Sequence, residues 1–418
     1  TRQKEKFPDG SVFYGSTSEF AETFRSFAWH DETILIKGAR AYGFERISSL
    51  LVQQLHQTRF EINMNAVVHN LNEFRHLLRP GTGIMAMVKA FAYGSGSAEI
   101  ASLLEYNHVS YFAVAYADEG VALREAGITT PVMVMNPDES VMELIIRHNL
   151  EPEIYSMESY AGFIRNAKRH GLLHYPVHLK IDTGMHRLGF SISEADLLAQ
   201  MLPDEQHIRI VSLFSHLAAA DDPGHDEFTH RQASLLIMTA EKLKSALGYS
   251  FKTHLLNSAG ISRFPQYQFD MVRMGIGLYG IGDYHGVALR HTGRFVTAVS
   301  QVRTVPSGEP VSYGCNGAAD HDREIAVIPV GYAEGLRREM GNGRGSLFIK
   351  GKKVPVIGSV CMDMCMTDVT GLNVKTGDEA EIFGSNITIE EIAGLCNTIP
   401  YEILTSIPSR VKRVYVNE

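Results

Sequence analysis

The sequence has no excess of basic charge, few cysteines and no long apolar run. Lysine and arginine total 39 against 47 aspartate and glutamate, for a net charge of −8 and a pI near 6.1. That balance argues against a nucleic-acid-binding protein, which usually presents a basic patch. No apolar stretch approaches a membrane span and no secretory pattern opens the chain, so neither a membrane nor an exported protein is expected. The opening residue, Thr1, reads as the start of a fragment or processed chain. The four cysteines, Cys315, Cys361, Cys365 and Cys396, are too few and too unevenly spaced for a disulfide framework. That usage suits a reducing compartment, and the expected location is cytoplasmic. Cys361 and Cys365 stand in Cys-Met-Asp-Met-Cys with no second Cys/His cluster nearby, so no metal site is expected. No Walker-type phosphate loop, internal repeat beyond a βα unit, or low-complexity segment occurs.

What is present is a chain of 418 residues, long enough for two or three domains, with an ordinary 44% of apolar residues. Its organising stretch is Ile84-Met-Ala-Met-Val-Lys-Ala-Phe-Ala-Tyr-Gly94. An apolar run delivers a single lysine, Lys89, followed by small residues, an aromatic and a glycine. The pattern predicts a buried strand ending at a tight turn. A lysine there can be desolvated, which lowers its pKa and makes it an imine-forming amine or a proton carrier. The plainer reading is a lysine snorkelling from a strand end.

Three regions differ in texture. Residues 1–57 contain helical apolar spacing over 20–27, a strand pattern over 33–37, and an amphipathic pattern over 43–51. Three such elements rarely bury a sufficient core alone, so this reads as a short αβ piece of something larger. Across 58–296, strand patterns at 84–89, 110–115, 131–135, 151–155, 177–181, 210–214, 253–256 and 269–274 alternate with helical patterns. Eight strands with crossover helices are what a (β/α)8 barrel requires, with a doubly wound sheet as the rival. Across 297–418 helical spacing nearly vanishes, and short alternating strands with many glycines predict a mostly β domain with one short helix near 389–395.

Polar residues at the strand ends favour the barrel. Lys89 follows the first strand, and Lys180, Asp182 and Arg187 follow the fifth. His216 ends the sixth, Asn257 and Ser258 the seventh, and Arg273 with Gly275 and Gly277 the eighth. Barrel active sites lie at these ends, and phosphate is often held after strands seven and eight. Asn257-Ser-Ala-Gly260 and Met274-Gly-Ile-Gly277 supply small residues where backbone amides can approach a phosphate. A lysine with a phosphate site points to a phosphorylated aldehyde held as an imine. Pyridoxal phosphate is one candidate, and a sugar-phosphate aldolase with a lysine imine is another.

Taken together, the motifs resemble the alanine racemase family. Val88-Lys-Ala-Phe-Ala-Tyr-Gly-Ser-Gly96 is similar to the stretch around its cofactor lysine. The resemblance runs on through Lys180-Ile-Asp-Thr-Gly-Met-His-Arg-Leu-Gly189, Ser215-His216, Asn257-Ser-Ala-Gly260 and Val272-Arg-Met-Gly-Ile-Gly-Leu-Tyr-Gly280. It continues at Val311-Ser-Tyr-Gly314, Pro329-Val-Gly-Tyr-Ala-Glu-Gly335, Cys361-Met-Asp363 and Tyr401-Glu402. It implies a pyridoxal 5'-phosphate enzyme that interconverts L-alanine and D-alanine for peptidoglycan synthesis. Segment 1–57 resembles the closing stretch of the ligase that adds D-alanyl-D-alanine to the peptidoglycan precursor, which implies a fusion. Without a Walker-type loop this chain cannot perform that ligation by itself.

The resemblance also implies roles. Lys89 would hold the cofactor as an imine and carry a proton on one face of the substrate. Tyr313 would be the second acid/base on the opposite face and would come from the partner of a head-to-tail homodimer. Arg273 would face the pyridine nitrogen and leave it unprotonated, with His216 fixing the guanidinium. Tyr93, Asn257, Ser258, Gly275, Ile276 and Tyr401 would bind the cofactor, mostly at its phosphate. Arg187 and the Met362 N–H would bind the substrate carboxylate, while Lys180, Tyr332, Cys361 and Asp363 would support the site. Lys180 is often carbamylated in the family, and the acquired charge orients Arg187. Without that modification, Lys180 beside Arg187 would be like-charge repulsion.

The chain departs from the family pattern at Phe91, often Asn; Ser95, often His; His186, usually small or polar; and Ser359, often Arg. These departures bear on entrance electrostatics and turnover rate, not on reaction class. Among rivals, decarboxylases of the same fold place a carboxylate where Arg273 stands. A non-catalytic cofactor carrier lacks the β domain and Tyr313. A preference for serine is a matter of pocket shape.

Overall fold

The structure, a computed structural model, describes residues 11–23, 34–37, 47 and 58–417. The chain divides into two compact units, Thr1–Gln57 and Thr58–Glu418. In the first, a helix spans Thr17–Thr23, and Tyr14 meets Phe20 edge-on at 5.3 Å between ring centroids. The rest of the helical pattern over 20–27 lies outside the described residues. So does the pattern over 43–51, apart from a helical Ile47. Residues 34–37 belong to no strand among the described residues.

The second unit opens with strand β1 (Arg59–Asn63) and a helix over Met64–His76, capped by Asn63 Oδ1 accepting from the Ala66 N–H at 2.9 Å. Eight strands then alternate with helices: β2 (Gly83–Met87), β3 (Tyr111–Val114), β4 (Val132–Val134), β5 (Glu151–Ile154), β6 (Tyr175–Lys180), β7 (Ile208–Phe214), β8 (Lys252–His254) and β9 (Met271–Met274). They are parallel throughout and close into a barrel by pairing β9 with β2. Closure decides for the barrel against the doubly wound sheet. Parallel strands covered on both faces need near-continuous apolar runs, and Tyr-Phe-Ala-Val in β3 and Val-Met-Val in β4 are buried at every position. The longest crossover helix, Asp226–Leu247, ends where Gly248 takes φ 69°.

Eight further strands follow: β10 (Gly293–Ala298), β11 (Gln301–Val305), β12 (Arg323–Ile328), β13 (Ser346–Ile349), β14 (Lys352–Ile357), β15 (Cys365–Asp368), β16 (Glu379–Phe383) and β17 (Lys412–Val416). With β1 they form a nine-stranded sheet in the order β11-β12-β15-β14-β13-β16-β10-β1-β17. The chain therefore enters this sheet before it enters the barrel, β1 lying antiparallel to β10 and parallel to β17. The expected short helix spans Ile389–Leu395, and a second, not anticipated, spans Pro400–Thr405.

The first barrel strand is shorter than expected. It stops at Met87, and Lys89 heads a turn in which Ala90, Phe91, Ala92 and Tyr93 all have φ between 50° and 55°. Left-handed backbone costs L-residues roughly 1–2 kcal/mol each. The turn is held by Glu119, whose carboxylate accepts from the Ala90 N–H at 2.6 Å and the Ala115 N–H at 2.7 Å. Gly94 ends it at φ 81°, with its carbonyl accepting from Arg413 Nε at 2.9 Å. A Cβ on Gly94 would stand 2.5 Å from the Leu404 carbonyl oxygen, where the turn meets the helix of the sheet region. Gly94→Ala is thus expected to lower stability by about 1–3 kcal/mol through the combined φ and backbone clash. Urea denaturation of the two proteins checks this, and an unchanged midpoint would remove the tight approach from the account.

Candidate active site

The C-terminal ends of the barrel strands open into a cavity of about 490 Å³. Lys89, Tyr93, Arg187, His216, Asn257, Ser258, Arg273, Gly275 and Ile276 line it from the barrel, and Tyr401 lines it from the sheet region. Ile399, Pro400 and Glu390 join Tyr401 on that wall. Ten of the residues singled out by sequence share one space.

Lys89 is part-buried at the head of the left-handed turn. Its pKa is lowered, first by burial and then by the Arg187 charge, with Glu119 opposing. A lowered lysine is a better nucleophile and proton acceptor near neutral pH.

Arg273, on β9, is 2% exposed. Its Nη2 donates to the carbonyls of Ser215 at 2.7 Å and Leu255 at 2.8 Å and lies 3.2 Å from His216 Nδ1. Its Nη1 lies 2.7 Å from His254 Nδ1. Burial, followed by Arg273 itself, pushes both histidines well below their usual pKa, so both accept from the guanidinium as neutral rings. Burial lowers Arg273 to about 10, which still leaves it charged at neutral pH.

The anchoring extends into the barrel. With His254 Nδ1 accepting, its Nε2–H is directed at Ser212 Oγ, 3.0 Å away. Ser212 Oγ lies 2.6 Å from His178 Nδ1, and His178 Nε2 lies 2.9 Å from Glu151 Oε2. A buried line of groups thus runs from Arg273 to a carboxylate on β5. The guanidinium fixes the first tautomer in it.

The opposite wall is aromatic and backbone. The Gly275 N–H donates to Ser258 Oγ at 3.1 Å, and Asn257 Oδ1 accepts from the Gly260 N–H at 2.9 Å, which fixes the loop after β8. Tyr93 packs against Tyr279 and Tyr401 at centroid distances of 4.7 and 6.0 Å. A Cβ on Gly275 would reach 2.9 Å from Tyr93 Oη, so this side of the cradle accepts only glycine without movement.

Five predicted residues gather elsewhere, on the loops of the sheet region. Tyr313 is 73% exposed, Met362 54% and Tyr332 45%. Tyr332 donates its N–H to the Cys361 carbonyl at 3.1 Å, and the Ala333 N–H donates to the Met362 carbonyl at 2.9 Å. Ser312 Oγ donates to the Ser359 carbonyl at 2.6 Å and lies 3.6 Å from Cys361 Sγ. Ser359 Oγ donates to the Tyr313 carbonyl at 3.3 Å. Arg410 bridges Asp363 at 3.1 Å and Glu334 at 2.8 Å. None of the five lines the cavity of the same chain.

Residues 62–283 match the protein-family model "Alanine racemase, N-terminal domain", and residues 293–415 match "Alanine racemase, C-terminal domain". The chain belongs to the alanine racemase family. Alanine racemase 1 of Caldanaerobacter subterraneus subsp. tengcongensis is 34% identical over 371 residues, covering 86% of this chain and 94% of that protein. The solved structure of the Clostridium difficile 630 alanine racemase aligns with a TM-score of 0.82 at 34% identity, over 86% of this chain and 96% of that one. The Bartonella henselae alanine racemase, solved with covalently bound pyridoxal phosphate, aligns with a TM-score of 0.78 at 28% identity, over 86% of this chain and 99% of that one.

Against the family pattern, the divergent residues find local roles. The Arg413 guanidinium lies over the Phe91 ring at 5.5 Å, and Ser95 is buried. His186 is exposed and pairs with Asp182 at 3.0 Å. Sequence reasoning did not find Glu119, Glu153, His254 or Tyr284, the last of which also lines the cavity. Glu153 stands in Glu-Pro-Glu-Ile and His254 in Lys-Thr-His, strands already rich in polar residues, so neither stood out. Glu119 and Tyr284 carry no signal either.

Among the described residues, no cluster of three or more His, Cys, Asp or Glu could hold a metal ion. No helix of the described residues is long and apolar enough to cross a membrane.

Proposed function

We propose that this chain interconverts L-alanine and D-alanine with pyridoxal 5'-phosphate, supplying D-alanine for peptidoglycan synthesis. The observation that carries the reading is one cavity lined by a pKa-lowered lysine and a buried arginine whose histidine neighbours are held neutral.

The residues fit the cofactor. Lys89 supplies an amine for its aldehyde carbon. The glycine at 275, where a side chain would clash, leaves room for a phosphate beside Ser258, Ile276, Tyr93 and Tyr401. Bound there, pyridoxal phosphate supplies an electron-withdrawing ring that acidifies the Cα–H of an attached amino acid. Arg273 would face the ring nitrogen as a cation whose protons are engaged by carbonyls and histidines, so it gives that nitrogen no proton. This limits electron withdrawal into the ring and disfavours transamination. Arg187 would bind the substrate carboxylate together with the Met362 N–H. Lys89 Nζ would remove or return the Cα proton on one face, and Tyr313 Oη on the other. Two bases are needed because one base tends to return the proton to the face it left.

Tyr313, Met362 and Cys361 lie on exposed loops away from the cavity of their own chain. This supports a head-to-tail homodimer in which each cavity is completed by the partner. Tyr332 and Asp363 would hold those loops. A cytoplasmic location follows from the substrate's role and the cysteine usage. The likeness of segment 1–57 to the end of a peptidoglycan ligase supports a fused, multifunctional protein in which D-alanine is made beside its consumer.

Incubating the protein with L-alanine and pyridoxal phosphate, then measuring D-alanine with a D-specific oxidase, tests the reaction. D-alanine should accumulate toward equal amounts of the two enantiomers. Cofactor binding without D-alanine would favour a carrier or another substrate.

A further inference from the structure

Glu153 lies near the end of β5 and is fully buried. Its Oε1 stands 3.0 Å from Lys180 Nζ, itself 4% exposed at the end of β6. Among the described residues, Lys180 is the polar side chain that meets this carboxylate, and no other donor reaches either oxygen. A buried carboxylate is usually satisfied by several donors, so one left with a single cation calls for an explanation.

The surroundings supply it. Lys180 Nζ and the Arg273 guanidinium lie over the Phe214 ring at 5.6 and 5.3 Å from its centroid. The Arg187 charge acts on both Lys180 and Arg273, and Arg187 and Arg273 both line the cavity. Glu153 is the acidic group acting on Lys180 and on Arg273. Burial pushes Glu153 up and Lys180 down, and each opposes the shift of the other.

We infer that Glu153 is a built-in counter-anion that keeps Lys180 an unmodified ammonium and holds Arg187 in its substrate-binding orientation. The inference rests on the proposed function for the role of Arg187, but not for the state of Lys180. Carbamylation would need the free-base amine of Lys180 to attack CO₂, forming an N–C bond and releasing a proton to solvent. An ammonium paired with Glu153 has no lone pair for that bond. The like-charge repulsion between Lys180 and Arg187, which makes carbamylation expected from sequence, is already relieved by Glu153. Glu153 is a positioning residue: it acts through Lys180 and Arg187 and does not line the cavity.

The test uses the cofactor-loaded protein equilibrated with ¹³C-bicarbonate. Carbon NMR of the unmutated protein should show no lysine carbamate, and a carbamate that Lys180→Gln removes would overturn the inference. This readout stands even if the protein racemises nothing. In parallel, Glu153→Gln should lower kcat/KM for L-alanine by about 10–100-fold, by analogy with the loss of partners that orient metal ligands. KM should rise, because Arg187 is the group released. The double variant Glu153→Gln/Lys180→Met removes anion and cation together and should recover most of that loss. A Glu153→Gln protein with unchanged KM and kcat would also overturn the inference. Should that variant fail to fold, the carbamate measurement on the unmutated protein still decides.

Discussion

Replacing Lys89 with alanine is expected to reduce D-alanine formation from L-alanine by at least about 10⁴-fold, because one side chain performs two tasks. It supplies the amine that receives the cofactor, and it carries the Cα proton on one face. Loss of the proton carrier alone is typically worth 10²–10⁴-fold. The fold should survive. The turn is held by Glu119 on the backbone N–H groups of Ala90 and Ala115, and by Arg413 on the Gly94 carbonyl, none of which uses the lysine side chain. Thermal unfolding should therefore shift little while the turnover assay falls to background. The absorbance band of covalently held cofactor should vanish with it. If the variant retained a tenth of the activity, a different amine would have to hold the cofactor, and the reading of the cavity would fail.

The barrel was legible because parallel strands buried on both faces must be written as apolar runs. Val-Met-Val of β4 and Tyr-Phe-Ala-Val of β3 admit little else, and each of the eight barrel strands lies within a residue or two of where the pattern put it. Two kinds of feature were not legible. β1, Arg-Phe-Glu-Ile-Asn, alternates like a strand, but its partners β10 and β17 come more than 200 residues later. Local pattern carries no information about such pairing. The tight turn at Lys89 was expected, but its left-handed conformation was hidden, since Lys-Ala-Phe-Ala-Tyr contains no glycine to mark positive φ. Its conformation is imposed by Glu119, 29 residues further on.

The candidate site shows the same division. Lys89, Arg187, His216 and Arg273 stand at strand ends, where barrel geometry alone directs attention. Glu153 and His254 lie inside strands, and their meaning depends on which strands are neighbours. β5 beside β6 brings Glu153 to Lys180, and β8 beside β9 brings His254 to Arg273. In Glu-Pro-Glu-Ile and Lys-Thr-His a sequence reading sees only short polar strands. Only the closed barrel shows that Glu153 and His254 answer charges.

Tyr313→Phe is the second large effect, an expected loss of about 10²–10⁴-fold, the range for removing one positioned acid/base. The substitution keeps the ring and removes only the hydroxyl, and Tyr313 is 73% exposed, so stability should hardly change. The informative measurement mixes two inactive proteins. If each cavity draws Lys89 from one protomer and Tyr313 from the other, a Lys89→Ala protomer paired with a Tyr313→Phe protomer forms one intact site and one doubly damaged site. Random re-pairing makes half the dimers mixed, with one of two sites working, so activity should return to about a quarter of the unmutated level. Two sites each built within one chain would give no recovery, because every cavity would lack one of its bases. Recovery therefore tests partner sharing and the two-base assignment together. Lys89→Ala mixed with Arg273→Gln is the control for that recovery, since both changes then fall in the barrel of one protomer or the other. Under partner sharing neither cavity of a mixed dimer would be intact, and activity should stay at background.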